Sequence, residues 1–262
     1  MDNNAYLKSF GDVSLLQRTT LLREMDNVWD ELGLNNINIT HQEQPLLTKF
    51  YSHPVWTLNG LFSEADVQSR QHRELLAEYI AKISPDSVAD YGGGSGVLAR
   101  FIADKCPINT IDIIEPYPSQ LFVDLMEPYP SIKYCDDLKQ LYDVIIAQDV
   151  LEHVNNPIEI AIHLIESTHT GGIIVFANCF YPEIKCHLPS TFYLRHTFKK
   201  LMSFAGLEFV ERIDNATHIL VFKKIKSCNI YSLKFANFFA KIIGNTLNAY
   251  EAFKKNHENR NS

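Results

Sequence analysis

The chain has 262 residues, 46% of them hydrophobic and 21% charged, enough apolar material for one large core with appendages. A net charge of −7 argues against a surface built for nucleic-acid backbone, so no nucleic-acid partner is expected. Five cysteines (Cys106, Cys135, Cys179, Cys186, Cys228) with no CxxC pair indicate neither a disulfide framework nor a zinc site, and no metal is expected. The start, MDNNAYLKSF, is not a charged-then-apolar leader, and no apolar run reaches the roughly 18 residues of a spanning helix. A cytoplasmic protein without a membrane partner is the expectation.

Residues 1–68 read as an N-terminal cap of short helices and loops, with Phe50, Tyr51, Trp56, Leu61 and Phe62 spread through turn-rich sequence. A helix is predicted over Ser69–Ile83, where Leu75, Leu76, Tyr79, Ile80 and Ile83 form one stripe. Strands are predicted at Ser87–Tyr91, Thr110–Ile114, Ile132–Cys135, Asp143–Ala147 and Ile173–Ala177. Helices fall between them near Gly96–Lys105, Pro118–Met126 and Pro157–Thr168, the last capped by Asn156 and started by Pro157. Such alternation means a doubly wound parallel sheet with helices on both faces. After a helix at Thr191–Ala205, the runs Leu207–Arg212 and His218–Lys223 flank Asp214-Asn215 and read as an antiparallel hairpin. The body of the chain is thus 69–226, and 227–262 is a C-terminal amphipathic helix.

In that helix Phe235, Phe238, Phe239, Ile242, Ile243, Leu247, Tyr250 and Phe253 recur at helical spacing. They predict packing on the chain's own core or on a second copy in a homodimer. Lys234, Lys241, Lys254 and Lys255 raise an interfacial membrane helix as the rival, which Gly244 and the asparagines along the helix weaken.

The stretch VADYGGGSGVLARFI, residues 88–102, carries the most chemistry. An apolar strand ending in Asp90 runs into four glycines within five residues and opens into a helix. Glycine lets the backbone turn with positive φ and lets a ligand approach without a Cβ in the way, while the helix start presents free N–H groups and a positive dipole end. This is a cradle for a nucleoside-containing cofactor. Gly94-Ser-Gly96-Val-Leu-Ala99 also fits the loose dinucleotide pattern, with Glu115 about twenty residues on to take ribose hydroxyls. A nicotinamide-dependent oxidoreductase therefore stands as the alternative, although no Tyr-x-x-x-Lys pair accompanies it.

Residues Val88–Gly96, read as hydrophobic-x-D-x-G-x-G-x-G, resemble the first motif of class I S-adenosylmethionine-dependent methyltransferases. YDVIIAQDVLEHVNNP, residues 142–157, resembles the fourth-strand motif of the branch carrying Asp-x-x-Glu-His, and GGIIVFANCF and KKLMSFAGLEFVERI resemble its later elements. The resemblance covers about residues 70–225. It implies a Rossmann-like seven-stranded sheet with the last strand antiparallel and S-adenosylmethionine as cofactor. Asp90 and the backbone of Gly92, Gly94 and Gly96 would hold the methionine end, Glu115 the ribose, and Tyr117 the adenine or ribose face. Asp136, or Asp137 next to it, would accept from the adenine amino group, and Gln148 and Asp149 would line the floor beneath the sulfonium.

For the reaction, His153 at the carboxyl edge of the fourth strand and His187 in the loop after the fifth are the candidate bases. Structural packing is the alternative for each. Glu152 pairs with His153 or caps the helix; the sequence leaves both open. Tyr51, His53 and Trp56 form either an aromatic lid or a buried cap, and Arg70 and Arg73 either bind a phosphate-bearing acceptor or are solvated. The expected function is O-methylation of a small acceptor: a sugar, a nucleotide-linked compound, a secondary metabolite or, by general resemblance, a phosphoramidate-type group of a surface polysaccharide. Nitrogen and carbon acceptors stay open.

Overall fold

The computed structural model describes residues 3–37 and 39–258. Residues 1, 2 and 38 of the cap and 259–262 of the C-terminal segment lie outside it. Four helices lead the chain: α1 Asn3–Lys8, α2 Arg18–Glu31, α3 Gln44–Tyr51 and α4 Pro54–Ala65. The helix α5 Val67–Ile83 then delivers the chain to a seven-stranded sheet in the order β3-β2-β1-β4-β5-β7-β6. Its strands are β1 Ser87–Tyr91, β2 Thr110–Ile114, β3 Ile132–Cys135, β4 Tyr142–Gln148, β5 Thr168–Ala177, β6 Leu207–Ile213 and β7 Ala216–Lys224. The first five are parallel and β7 is antiparallel to both neighbours, as the hairpin reading requires.

The central strands are apolar almost throughout because helices cover both faces. Val144 and Ile146 of β4 join Leu76 and Ile80 of α5 and Leu98 and Ile102 of α6 Val97–Lys105. Ile145 and Ala147, one residue out of phase, face the other way. There they join Leu164 of α8 Pro157–Glu166 and Leu194 and Leu201 of α9 Leu194–Phe204. The helix α7 Gln120–Leu125 completes the β2–β3 crossover. A third core belongs to the cap: Trp29 and Phe50 pack edge to face with centroids 5.0 Å apart. Cys186 and Leu188, from the loop after β5, are buried in that same cluster. The cap and the β5 loop are therefore one packed unit above the carboxyl ends of the strands.

One expectation needs correction, and one pair of alternatives is narrowed. Asn156 stands at the start of α8, but its side chain makes no capping hydrogen bond. The C-terminal helix α10 Ile230–Glu258 packs through Leu233, Ala240 and Gly244, while the large residues from Phe235 to Phe253 that form the stripe are exposed. No helix among the described residues is long and apolar enough to cross a membrane.

Candidate active site

The strand order reverses between β1 and β4, and a crevice at such a reversal is where open α/β sheets bind ligands. One wall is the glycine loop. Gly92 turns out of β1 at φ 74°, where a Cβ would stand 2.5 Å from Val150 Cγ2, and its N–H donates to the Ile114 carbonyl at 2.8 Å. Gly96, at φ 70°, caps α6; a Cβ there would meet Ile113 Cδ1 at 2.8 Å. The first turn of α6 is thereby drawn close against β2, with its free N–H groups turned to the crevice.

Asp90 lies beneath the loop, 2% exposed. Burial lifts its carboxyl to about 7; the Arg73 guanidinium opposes that lift and the Glu115 charge adds to it. Asp90 Oδ2 has no hydrogen-bond partner among the described residues, so this buried acid awaits a donor from outside the chain. Glu115 is held at the end of β2, where its carboxylate accepts from the Tyr117 N–H at 3.1 Å. Burial raises its pKa against the N–H groups of Tyr117 and Gly94. The Tyr117 hydroxyl donates to Thr48 Oγ1 of α3 at 3.2 Å, which ties the cap across this end of the crevice. Asp136 stands at the surface in an ion pair with Lys139 at 2.5 Å, and Asp137 accepts from His163 at 3.1 Å.

The other wall is the end of β4. Gln148 Nε2 donates to Asp149 Oδ2 at 3.5 Å, and Asp149 itself has φ 54°, unusual for a residue with a side chain. Arg73 of α5 is buried near enough to Asp149 and Asp90 for both charges to act on it. Its guanidinium donates to the Ser69 carbonyl at 3.2 Å and to Ser69 Oγ at 2.5 Å, one turn back on the same helix, so it is part-buried rather than freely solvated. Arg70 pairs with Glu74 at 3.4 Å on the exposed helix face.

Beyond Asp149 the 3-10 turn Leu151–His153 and the β5 loop converge. Glu152 is wholly buried, and one carboxylate oxygen accepts from the Cys179 N–H at 2.5 Å. Burial raises its pKa to about 8, with the charge of Asp149 adding to the shift. Leu188 donates its N–H to the Glu152 carbonyl at 2.8 Å, so this residue anchors both ends of the loop. The rings of His153 and His187 meet edge to face with centroids 4.8 Å apart. Burial pushes His153 down to about 3, helped by His187. His187 Nδ1 donates to the Tyr181 carbonyl at 2.8 Å, because a carbonyl can only accept; Nε2 is left as a lone pair. Trp56 and Tyr51 stand over His153 at 5.9 and 6.4 Å between centroids, placing the aromatic cap against the turn that follows β4. His53 caps α4, its Nδ1 accepting from the Val55 N–H at 3.1 Å, and Cys186 is a buried thiol with its pKa pushed well up.

The model of a family described as a methyltransferase domain matches residues 66–212, more than half of the chain. No curated protein matches the chain significantly. Among solved structures the fold is similar to an O-methyltransferase family protein from Burkholderia thailandensis. That pair shares 12% identity and a TM-score of 0.56 over 80% of this chain and 70% of the other. It is also similar to human N-acetylserotonin methyltransferase crystallised with SAM, at 17% identity, TM-score 0.54, and 79% and 65% coverage. Mitomycin 7-O-methyltransferase gives 12% identity and a TM-score of 0.53 over 85% and 71% of the two chains. At these identities the structural likeness is one of fold. The family match, the β7-antiparallel sheet and the glycine loop together decide between the two cofactor readings: the chain belongs to the methyltransferase-domain family and is an S-adenosylmethionine-dependent methyltransferase.

Proposed function

We propose that this enzyme methylates an oxygen of a small acceptor: a sugar, a nucleotide-linked compound, a secondary metabolite or a phosphoramidate-type group of a surface polysaccharide. The observation that carries the reading is the convergence of Glu152, His153 and His187 beneath Trp56 and Tyr51, at the edge of the cofactor crevice. Two imidazoles and a carboxylate around one point suit an acceptor that must lose a proton, as a hydroxyl must and a neutral amine need not before attack.

The cradle fits the cofactor. Asp90, buried with an unpartnered oxygen, would take its ammonium, the backbone of Gly92, Gly94 and Gly96 would line the methionine end, and the free N–H groups of the α6 start would take its carboxylate. Glu115 would accept from the ribose hydroxyls, Tyr117 would lie against the adenine or ribose, Asp136 would take the adenine amino group, and Gln148 and Asp149 would form the floor. Bound there, S-adenosylmethionine supplies an electrophilic methyl group on a sulfonium. The chain's own contribution is alignment and dryness: holding two reactants in attack geometry supplies as much as about 7–11 kcal/mol. His153 and His187 are the residues placed to act on the acceptor's proton, His187 through its free Nε2.

The five cysteines are free thiols, which supports a reducing cytoplasmic setting. The exposed aromatic face of α10 supports pairing with a second copy, testable by sedimentation velocity of the wild type against Phe235→Glu. For the reaction, release of S-adenosylhomocysteine is measured over hydroxyl and amine acceptors. On a hydroxyl acceptor His187→Ala lowers the rate about 10²-fold or more. Full rates for both His187→Ala and His153→Ala, or turnover of amines alone, overturn the reading.

A further inference from the structure

Three unlike side chains from two loops offer one ligand atom each, all within 4.8 Å of one another: Glu152, His153 and His187. Each is oriented from behind by main chain. One Glu152 oxygen is engaged by the Cys179 N–H, and His187 Nδ1 by the Tyr181 carbonyl. His153 is hydrogen-bonded to the backbone of Cys186. What remains free is Glu152 Oε2, His153 Nδ1 and His187 Nε2. The first two are buried and have no hydrogen-bond partner among the described residues. No hydrogen bond joins any two of the three residues, so the cluster is not a self-satisfied ion pair. The three atoms converge with no donor but the proton that burial favours on Glu152, and a cation satisfies such an arrangement by displacing that proton. Ligands held from behind by carbonyl and N–H groups are also the usual surroundings of a metal site.

We propose that Glu152 Oε2, His153 Nδ1 and His187 Nε2 hold one divalent transition-metal ion, of the Mn²⁺, Co²⁺ or Zn²⁺ kind, and that the acceptor's oxygen binds it. Two imidazoles with one carboxylate favour such ions over Mg²⁺ or Ca²⁺, and three protein ligands leave coordination positions open. Bonds of about 2.0–2.2 Å set neighbouring ligand atoms roughly 3–4 Å apart, so the observed cluster needs only side-chain adjustments of about 1 Å to close. Asp149, near enough for its charge to act on both Glu152 and His187, adds negative charge beside the site. The inference rests on the oxygen-acceptor reading and changes how the proton leaves. A metal-bound hydroxyl is acidic enough to give its proton to water near neutral pH, rather than to a histidine. The O–C bond then forms as the C–S bond breaks, the sulfonium becomes a thioether, and the proton goes to solvent.

The test uses the full-length protein stripped with chelator and dialysed, then titrated with Mn²⁺ followed by electron paramagnetic resonance and with Zn²⁺ followed by calorimetry. Binding of S-adenosylhomocysteine is measured in parallel as the check on folding. One equivalent of metal per wild-type chain is expected, weakened at least tenfold in His187→Ala and in Glu152→Gln, with S-adenosylhomocysteine affinity kept within twofold in His187→Ala. If the wild type binds S-adenosylhomocysteine but takes up neither metal more tightly than His187→Ala, the metal site is refuted and the methyltransferase reading stands. If the metal binds as expected while amines alone are methylated, the oxygen-acceptor reading fails and the metal site survives it.

Discussion

The hydroxyl of Tyr134, on β3, donates to the carbonyl of Gly94 across 2.9 Å, tying the third strand of the sheet to the middle of the glycine loop. The same oxygen would stand 3.2 Å from a Cβ on Gly96, so the phenol also leaves little room for a side chain there. Tyr134→Phe removes the hydroxyl and leaves the Gly94 carbonyl without that donor. Losing such a bond costs about 1 kcal/mol, a five- to tenfold change in an equilibrium. The melting temperature of the free protein should fall by a few degrees, since the bond is made without ligand, and the affinity for S-adenosylhomocysteine should fall by up to that factor in calorimetry. Unchanged affinity would show that the loop holds its shape without the brace.

Asp90 makes the free enzyme sensitive to pH. Its folded pKa, near 7, lies above the ordinary carboxylate value. The stability linked to it is therefore complete below about pH 4 and declines as the pH rises to about 7, by up to roughly 4 kcal/mol. The groups facing it are Arg73 from α5, Glu115 from the end of β2 and Tyr134 from β3. Only Arg73 favours its charged form. A ligand bringing an ammonium to Asp90 adds a second cation, so the rise in melting temperature given by S-adenosylhomocysteine should be larger at pH 8 than at pH 5.5. Asp90→Asn should flatten that difference and weaken binding; a pH-independent shift in the wild type would refute the pairing.

Gly244 is the point where α10 crosses the chain at Tyr193. A Cβ there would run into the Tyr193 carbonyl, which is backbone and cannot swing aside. Alanine gains about 1 kcal/mol of helix propensity, but forcing a methyl into a filled contact costs about 1–3 kcal/mol. Gly244→Ala should lower the melting temperature by a few degrees, and Gly244→Val further. A melting temperature equal to or above the wild type would show that α10 does not depend on this crossing.

The limits of β1, β2 and β3 were legible to the residue, since each is a short apolar run bounded by loop-forming sequence. β5 starts at Thr168, five residues before the run that predicted it. Its first half is Thr-His-Thr-Gly-Gly, and the register slips between Tyr142 and Val144, so no alternation marks it. In α10 the helical period was correct; the contact with the chain's own core uses Leu233 and the small residues Ala240 and Gly244 rather than the aromatic stripe, and small residues give little signal in the sequence. The glycine loop could be read because its geometry demands glycine. Glu152 could not be assigned: its partner, the Cys179 N–H, lies 27 residues away and is brought to it only by the folded loop. Tyr134 likewise reads as an ordinary strand aromatic.

Arg100 of α6 and Glu64 of α4 form the ion pair that fastens the cap to the helix of the cofactor loop, at 2.6 Å with only about a fifth of each side chain exposed. Arg100 Nε has no other partner among the described residues, so the pair is the main neutralisation of a half-buried guanidinium. Removing one member of a sheltered pair costs more than the pair itself contributes, because the other charge stays behind. Glu64→Ala should therefore destabilise by about 1–3 kcal/mol, while the double change Glu64→Ala with Arg100→Met should recover part of that loss by replacing the stranded charge with an apolar chain. Chemical denaturation of the two variants beside the wild type measures both. Equal losses in the single and double variants would mean that the stranded charge is solvated at no cost.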